Sequence, residues 1–218
     1  MSDRSNTSPP RFMRPVTPAD LSDGLKTLIM QIAPGQLPVY IDAAPLPGEA
    51  ANECFGLVNR CVREHGGEAV IGWSLWEFPT MFVEAEFHAV WRKSDGMLVD
   101  VSPRPSPTAR ALFLPDPTRQ YEGRSVDNVR VPIRQDPTLL EYLATFAAKF
   151  EIMNRGARAD QRGEIHLIGD EAVEFKAIMT RQARLGAQLA GSFPAIGPYH
   201  PCPCGSGKKV KWCCGTPH

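Results

Sequence analysis

The stretch MFVEAEFHAVWRKSDGMLVDVSP, residues 81–103, most constrains the fold of this chain. Residues 82–92 and 97–101 are rich in aromatic and β-branched side chains, which favour extended strands. Between them, Ser-Asp-Gly at 94–96 supplies a turn. The pattern predicts an antiparallel β-hairpin, and therefore a sheet of which this hairpin is a part.

The turn determines which side chains share a face of the hairpin. A three-residue turn with Gly96 in the left-handed conformation pairs Lys93 with Met97. In that register His88 and Asp100 are diagonal neighbours on one face, with their α-carbons about 7–8 Å apart. A two-residue turn would reverse the parity and separate them. The same face carries Glu84 and Glu86, and the opposite face is apolar, with Phe87, Ala89, Trp91, Val99 and Val101.

Apolar residues recur at helical spacing in several other segments. The predicted helices are residues 20–33, with Asp20 as a possible cap, a segment that contains 54–62 and ends at Gly66-Gly67, residues 136–155, and residues 170–189. Further short strands are predicted at 111–115 and 128–133. The expected fold class is α+β, with a small antiparallel sheet packed against helices.

These elements divide the chain into successive parts. We expect a flexible arm (1–18), an α+β domain (19–190) with a possible helical extension (136–190), a linker (191–199) and a zinc-binding tail (200–218). The arm and the linker are predicted from their Ser, Pro and Gly content, which disfavours regular structure.

Composition narrows the choice of partners and compartment. The chain has 24 basic and 24 acidic side chains, so it has no net basic field and nucleic acid is not an expected partner. The N-terminal sequence lacks the apolar core of a secretory signal, and no apolar run reaches the roughly 20 residues that a membrane helix needs. We therefore expect a cytoplasmic protein. In a reducing compartment, clustered cysteines are typically metal ligands or catalytic groups rather than disulfides.

Four of the six cysteines lie in the segment HPCPCGSGKKVKWCCGTPH. They are Cys202, Cys204, Cys213 and Cys214. Their C-x-C-x8-C-C spacing gives two close thiol pairs, a donor arrangement that suits a tetrahedral zinc site. His200 or His218 is an alternative to one of the last two cysteines, and a redox-active or disulfide cluster is the alternative to zinc.

The same residues resemble the SEC-C motif, the zinc-binding tail of SecA translocation ATPases. The CPCGSGKK and CCG parts of that motif are present, whereas Val210 lies where an aromatic residue is usual and Trp212 where a basic residue is usual. The resemblance covers less than a tenth of the chain. It implies zinc binding and contact with a protein or ribosomal partner, and it implies no chemistry.

A second candidate site combines Cys54, His88 and Asp100. A cysteine nucleophile needs an imidazole to take its proton and an acceptor that orients the imidazole. A helix N-terminus also lowers the pKa of a thiol, and Cys54 lies there if its helix begins near Asn52 rather than near Glu49. The alternative is that Cys54 is an ordinary core thiol, because it falls in the apolar stripe of its helix.

The segment HAVWRKSDGMLVDVSP resembles the His and Asp region of transglutaminase-like and papain-like thiol enzymes. In those enzymes a Cys at a helix N-terminus precedes a His strand and then an Asp or Asn strand. The resemblance implies that Cys54, His88 and Asp100 form a catalytic triad, with Asn52 and the backbone N–H of Cys54 as candidate oxyanion donors. It further implies hydrolysis or acyl transfer through a thioester. The alternative function is a non-enzymatic adaptor that docks on its partner through the zinc tail.

Overall fold

The computed structural model describes residues 15–104, 108–161, 165–192, 199 and 208–212. The helices in these residues are α1 (Asp23–Ile32), α2 (Cys54–His65), α3 (Pro137–Met153) and α4 (Gly169–Ser192). The strands are β1 (Val39–Ala43), β2 (Glu68–Phe78), β3 (Phe82–Arg92), β4 (Leu98–Asp100), β5 (Arg110–Pro115) and β6 (Val129–Pro132). The fold class is α+β, as predicted.

The helices begin where the sequence offers a cap. α1 begins after Ser22, whose hydroxyl accepts a hydrogen bond from the backbone N–H of Leu25. The capping role assigned to Asp20 is therefore wrong, because the side chain of Ser22 is the one that reaches the free N–H groups of the helix. Asp136 caps α3 in the same way and is followed by Pro137 in the first turn, as predicted.

In the described residues, five strands close into a barrel in the order β2-β5-β1-β4-β3, with β3 pairing back to β2. Neighbouring strands are antiparallel except β1 and β4, which are parallel. β6 extends the sheet beyond the barrel by pairing with the first residues of β3. The described sheet is larger than the small antiparallel sheet expected from the sequence, since it is closed and contains a parallel pair.

β2 is a long strand that the sequence pattern does not predict. Its sequence, EAVIGWSLWEF, lacks an alternation of polar and apolar residues. Both of its faces are covered: Trp73 and Leu75 lie in a core cluster with α1, and Val70 packs on a cluster on the opposite face. A strand that is buried on both faces carries apolar residues on both, so the period that marks a half-exposed strand is missing.

β3 and β4 form the predicted hairpin. Gly96 has a φ of +88°, and its N–H donates to the carbonyl of Lys93 over 2.9 Å. The N–H of Lys93 donates to the carbonyl of Met97 over 2.9 Å, and the strand pairing has the register expected for a three-residue turn. His88 and Asp100 therefore lie on the same face, as the sequence indicates.

That face lines the interior of the barrel, which has an apolar half and a polar half. The apolar half consists of Ile41, Val90, Ala111 and Phe113. The polar half consists of Ser74, Glu86, His88 and Asp100, with Arg104 reaching it from the segment after β4. The barrel interior is thus where the candidate catalytic histidine and aspartate lie.

The outer face of the barrel is covered by helices. α1 packs on side chains of β2, β3 and β5, and α2 packs on a cluster that includes Ala89, Val99 and Val101, which confirms these residues as core. α3 and α4 together cover Met81 and Phe82, beside the β2–β3 turn. Among the described residues no helix is long and apolar enough to cross a membrane.

Gly72 is a position at which the barrel has no room for a side chain. A Cβ there would lie 2.1 Å from the carbonyl oxygen of Leu114 and 2.9 Å from the Cα of Pro115, both in the backbone of β5. We expect Gly72→Ala to lower the free energy of unfolding by about 1–3 kcal/mol, because β2 and β5 must separate to admit the methyl group. Urea denaturation followed by circular dichroism measures this loss.

Gly24→Ala is the matched control. The nearest atom to a Cβ at Gly24, in α1, lies at 3.7 Å, which is ordinary van der Waals contact. This substitution should leave the stability unchanged or raise it by up to about 1 kcal/mol, since alanine favours the helix. Equal unfolding free energies for the two variants would contradict the close approach of β5 to Gly72.

Candidate active site

α2 begins at Cys54, so the thiol belongs to the first residue of the helix. The N-cap residue is Glu53, whose side chain makes no capping hydrogen bond. The first backbone N–H groups of a helix have no acceptor within the helix and stabilise a negative charge placed beside them. The helix starts after both of the expected starts, near Asn52 and near Glu49, and Cys54 therefore lies beside these N–H groups rather than a turn deeper.

His88 lies on β3 and is buried, with 2% of its surface exposed. Its Nε2 lies 3.0 Å from Oδ1 of Asp100 on β4, as the hairpin register predicts. Burial by itself would lower the pKa of His88, but the hydrogen bond to Asp100 and the charge of that carboxylate outweigh burial. With a further contribution from Cys54, they raise the pKa of His88 to about 9.

Cys54 lies near the imidazole of His88. The thiol is close enough to raise the pKa of the imidazole. The thiol is not hydrogen-bonded to Nδ1 of His88, since that nitrogen has no hydrogen-bond partner in the described part of the chain. The ring therefore has one nitrogen held by Asp100 and the other unoccupied, and Cys54 itself is buried, with 6% of its surface exposed.

Arg104 is a member of this cluster that the sequence does not predict. Its Nη2 and Nε donate to Oδ2 of Asp100 over 2.8 and 3.1 Å, its Nη1 donates to Glu86 over 2.9 Å, and its Nη2 donates to the hydroxyl of Ser74 over 3.0 Å. The guanidinium also lies 4.4 Å from the ring centroid of Trp76. A single arginine after a strand has no periodicity that marks it, and it reaches Ser74 and Glu86 because β3 pairs with both β2 and β4.

Asp100 remains a carboxylate in this environment. Burial would raise its pKa, but His88, Arg104 and the backbone N–H of Ser102 together hold the pKa well below its usual range. The N–H of Ser102 donates to Oδ1 over 3.0 Å, on the oxygen that faces His88. Asp100 is thus fixed on both oxygens and can hold the imidazole in one orientation.

Asn52, the candidate oxyanion donor, lies in the turn before α2. It is exposed and has a φ of +67°, a left-handed conformation that asparagine tolerates. Its assignment as a donor stays a prediction. The backbone N–H of Cys54, the other candidate donor, is the first of the helix and has no helical acceptor.

The four tail cysteines lie outside the described residues. These are Cys202, Cys204, Cys213 and Cys214, and the alternative ligands His200 and His218 also lie outside. In the described ranges no group of three or more His, Cys, Asp or Glu side chains is placed to hold a metal ion. The described residues therefore do not test the zinc assignment.

Comparison with known proteins finds similarity to SecA over a short segment. SecA, the protein translocase subunit, of Treponema denticola is 49% identical over 39 residues, which are 18% of this chain and 4% of that protein. SecA of Xylella fastidiosa is 47% identical over 47 residues, which are 22% of this chain and 5% of that protein. The chain thus spans only a small part of the SecA proteins that it matches. No family model and no solved structure matches it.

These matches support a SecA C-terminal-type, or SEC-C-type, segment in this chain. They cover too little of either protein to assign the activity of SecA to the barrel. The similarity to transglutaminase-like and papain-like enzymes has no support from these comparisons.

The pair formed by His88 and Asp100 should make stability depend on pH. The pKa of His88 is raised from 6.5 to about 9, so the pair stabilises the folded state fully below about pH 6.5, and this contribution is lost as the pH rises through 9. We expect the free energy of unfolding to fall by about 1–3 kcal/mol over that range in the wild type, and by less in His88→Gln. The contribution of Asp100 to stability has the opposite pH dependence. Because its pKa is lowered in the folded state, this contribution is lost as the pH falls.

Urea denaturation at pH 6, 7.5 and 9 under reducing conditions measures the His88 contribution. His65→Gln is the control, because His65 lies at the exposed end of α2. It should follow the wild-type curve. If His88→Gln also follows that curve, His88 is neutral throughout and the ionic pairing with Asp100 is wrong.

Proposed function

We propose that this chain is a thiol hydrolase or acyl transferase that acts on an amide or ester carbonyl through a thioester. Cys54 is the nucleophile, His88 is the general base and acid, and Asp100 orients the imidazole. The observation that carries the proposal is the arrangement of His88, with one ring nitrogen held by a buried carboxylate and Cys54 at a helix N-terminus beside the ring.

The reactive form is an ion pair, in which the thiol proton of Cys54 has passed to Nδ1 of His88 and a thiolate lies beside an imidazolium. The sulfur then forms a bond to the carbonyl carbon of the substrate, and the first N–H groups of α2 stabilise the resulting oxyanion. As the bond to the leaving amine or alcohol breaks, His88 returns the proton to it. Water or an acceptor amine attacks the thioester with His88 as base, and the thiol is regenerated.

A transglutaminase-like or papain-like assignment forms part of the same proposal. It is supported by the order in which α2 contributes the thiol, β3 the imidazole and β4 the carboxylate. The competing interpretation is a core thiol, since Cys54 is buried and the same face of α2 carries Leu57, Val58 and Cys61. Chemical reactivity distinguishes the two, because a core thiol is unreactive until the protein unfolds.

Cys54→Ala should abolish turnover and leave the protein folded. Cys61→Ala is the matched control, since Cys61 is a buried free thiol in the same helix that packs on Ala89 and Val99. It should remove some stability and keep turnover. Thioester formation is measured by mass spectrometry with activated ester and amide probes. A folded Cys54→Ala variant with full turnover would contradict the assignment.

Alkylation gives a test that needs no substrate. We expect Cys54 to react with iodoacetamide in the folded protein, because a nucleophilic thiol beside an imidazole is reactive. Peptide mass spectrometry resolves Cys54 from Cys61, for which burial raises the pKa and for which no reaction is expected in the folded protein. A Cys54 that reacts as slowly as Cys61 until the protein unfolds would indicate an ordinary core thiol.

The tail supports a second candidate function, that of an adaptor that docks through a zinc knuckle. The four tail thiols are a soft donor set that fits tetrahedral zinc, and the SecA matches support this segment type. We propose that Cys202, Cys204, Cys213 and Cys214 hold the ion. Among the described residues of this region, Tyr199 and Trp212 are each 58% exposed, with Lys209 within 6 Å of both rings.

Deletion of residues 200–218 tests the adaptor function. We expect the full chain to contain about one zinc ion and to co-sediment with ribosomes, and the shortened chain to lose both properties. Trp212→Ala should keep the zinc and weaken co-sedimentation, because an exposed aromatic ring is a contact residue rather than a ligand. The alkylation rate of Cys54 is the control and should not change. Equal co-sedimentation of the full and shortened chains would contradict the adaptor function.

A further inference from the structure

The guanidinium of Arg104 lies at the centre of the polar half of the barrel, next to the imidazole of His88. Its side chain is 13% exposed, and its Nη2 lies 3.2 Å from Nε2 of His88. When His88 carries a proton on Nε2, that nitrogen and Nη2 are both donors and cannot bond to each other. The two groups instead share the carboxylate of Asp100, with His88 on Oδ1 and Arg104 on Oδ2.

We propose that Arg104 is a positioning residue that sets the proton affinity of His88, by sharing Asp100 with it and by placing a positive charge beside the ring. This role rests on the proposed thiol chemistry, for which a base must gain and lose its proton within one turnover. Glu86 lies in the same polar half of the barrel interior as Arg104 and carries the opposite charge. The two residues act on His88 in opposite directions.

The geometry explains how Arg104 positions Asp100. Each carboxylate oxygen has its own donors, Oδ1 from His88 and the N–H of Ser102, and Oδ2 from Nε and Nη2 of Arg104. Rotation of the carboxylate would break bonds on both oxygens. Two N–H groups of Arg104 converge on Oδ2, whereas a lysine would replace them only with a point charge.

The charges that face His88 come from several elements. Asp100 on β4 and Glu86 on β3 are negative, Arg104 after β4 is positive, and Cys54 on α2 becomes negative when it ionises. Without Arg104, the imidazolium would face the carboxylates with no compensating positive charge and would hold its proton more firmly. Arg104 therefore offsets part of the attraction that Asp100 exerts.

Glu86 is held as a carboxylate by the same contacts. Burial would raise its pKa, but Arg104 and His88, together with the indole N–H of Trp76, lower it. Because Glu86 and His88 interact, loss of the Glu86 charge must lower the proton affinity of His88. This gives a variant whose effect has the opposite sign to that of an Arg104 variant.

The test is an NMR titration of the His88 imidazole in the wild type and four variants, with the signal assigned by its absence from His88→Gln. Arg104→Met should move the midpoint of His88 to higher pH, and Glu86→Gln should move it to lower pH. The double variant Arg104→Met/Glu86→Gln loses one charge of each sign and should titrate close to the wild type. Arg104→Lys should also stay near the wild type, since it keeps the positive charge.

A purely structural role for Arg104 would not give shifts of opposite sign that cancel in the double variant. The proposal is overturned if Arg104→Met leaves the midpoint unchanged or lowers it. Arg104→Met leaves buried carboxylates without a partner, and if it does not fold, Glu86→Gln and the double variant still decide. A double variant whose His88 midpoint is as low as that of Glu86→Gln would overturn the proposal.

The titration also separates this role from the proposed function. It measures a proton on His88 and needs neither substrate nor turnover. If the shifts occur and Cys54 alkylates as an ordinary thiol, the charge arrangement is right and the thiol chemistry is wrong. If Cys54 is activated and the shifts are absent, the thiol chemistry stands and Arg104 does not set the proton affinity of His88.

Discussion

The pairing of β3 with its neighbours is the constraint on which the rest of this structure depends. β3 pairs with β2 along its whole length, with β4 at one end and with β6 at the other. Its outer face takes the packing of α1 and α2, while its inner face contributes to the barrel interior. A shift of one residue in the register of β3 would exchange these faces and move His88 out of the barrel.

The barrel encloses charged groups, which is costly unless each charge is compensated. The charges are compensated by neighbouring side chains. Arg104 donates hydrogen bonds to the carboxylates of Asp100 and Glu86. The indole of Trp76 donates its N–H to Glu86, and its ring lies against the guanidinium of Arg104. In the described part of the chain, the buried side-chain atoms of this network that have no hydrogen-bond partner are Nδ1 of His88 and Oγ of Ser102. Nδ1 of His88 is thus available for proton transfer, which is the property that the proposed chemistry requires.

The two candidate functions belong to different parts of the chain and do not exclude each other. The SecA matches support the tail segment, and the proposed thiol chemistry is argued from residues of the barrel and α2. A zinc knuckle of this kind folds around its metal and needs no contact with a catalytic site. An enzyme whose tail brings it to its partner would combine both properties in one chain.

The sequence by itself determined the helices, the β3–β4 hairpin with its register, and the shared face of His88 and Asp100, because periodicity and turn chemistry are local properties. It also determined the spacing of the tail cysteines. Only the tertiary structure decided that the sheet closes, that β2 is a strand, and that Arg104 joins the site. Each of these depends on how strands pair and pack. β2 lacks an alternating pattern because both of its faces are buried, and Arg104 meets Ser74 and Glu86 because β3 pairs with β2 on one side and with β4 on the other.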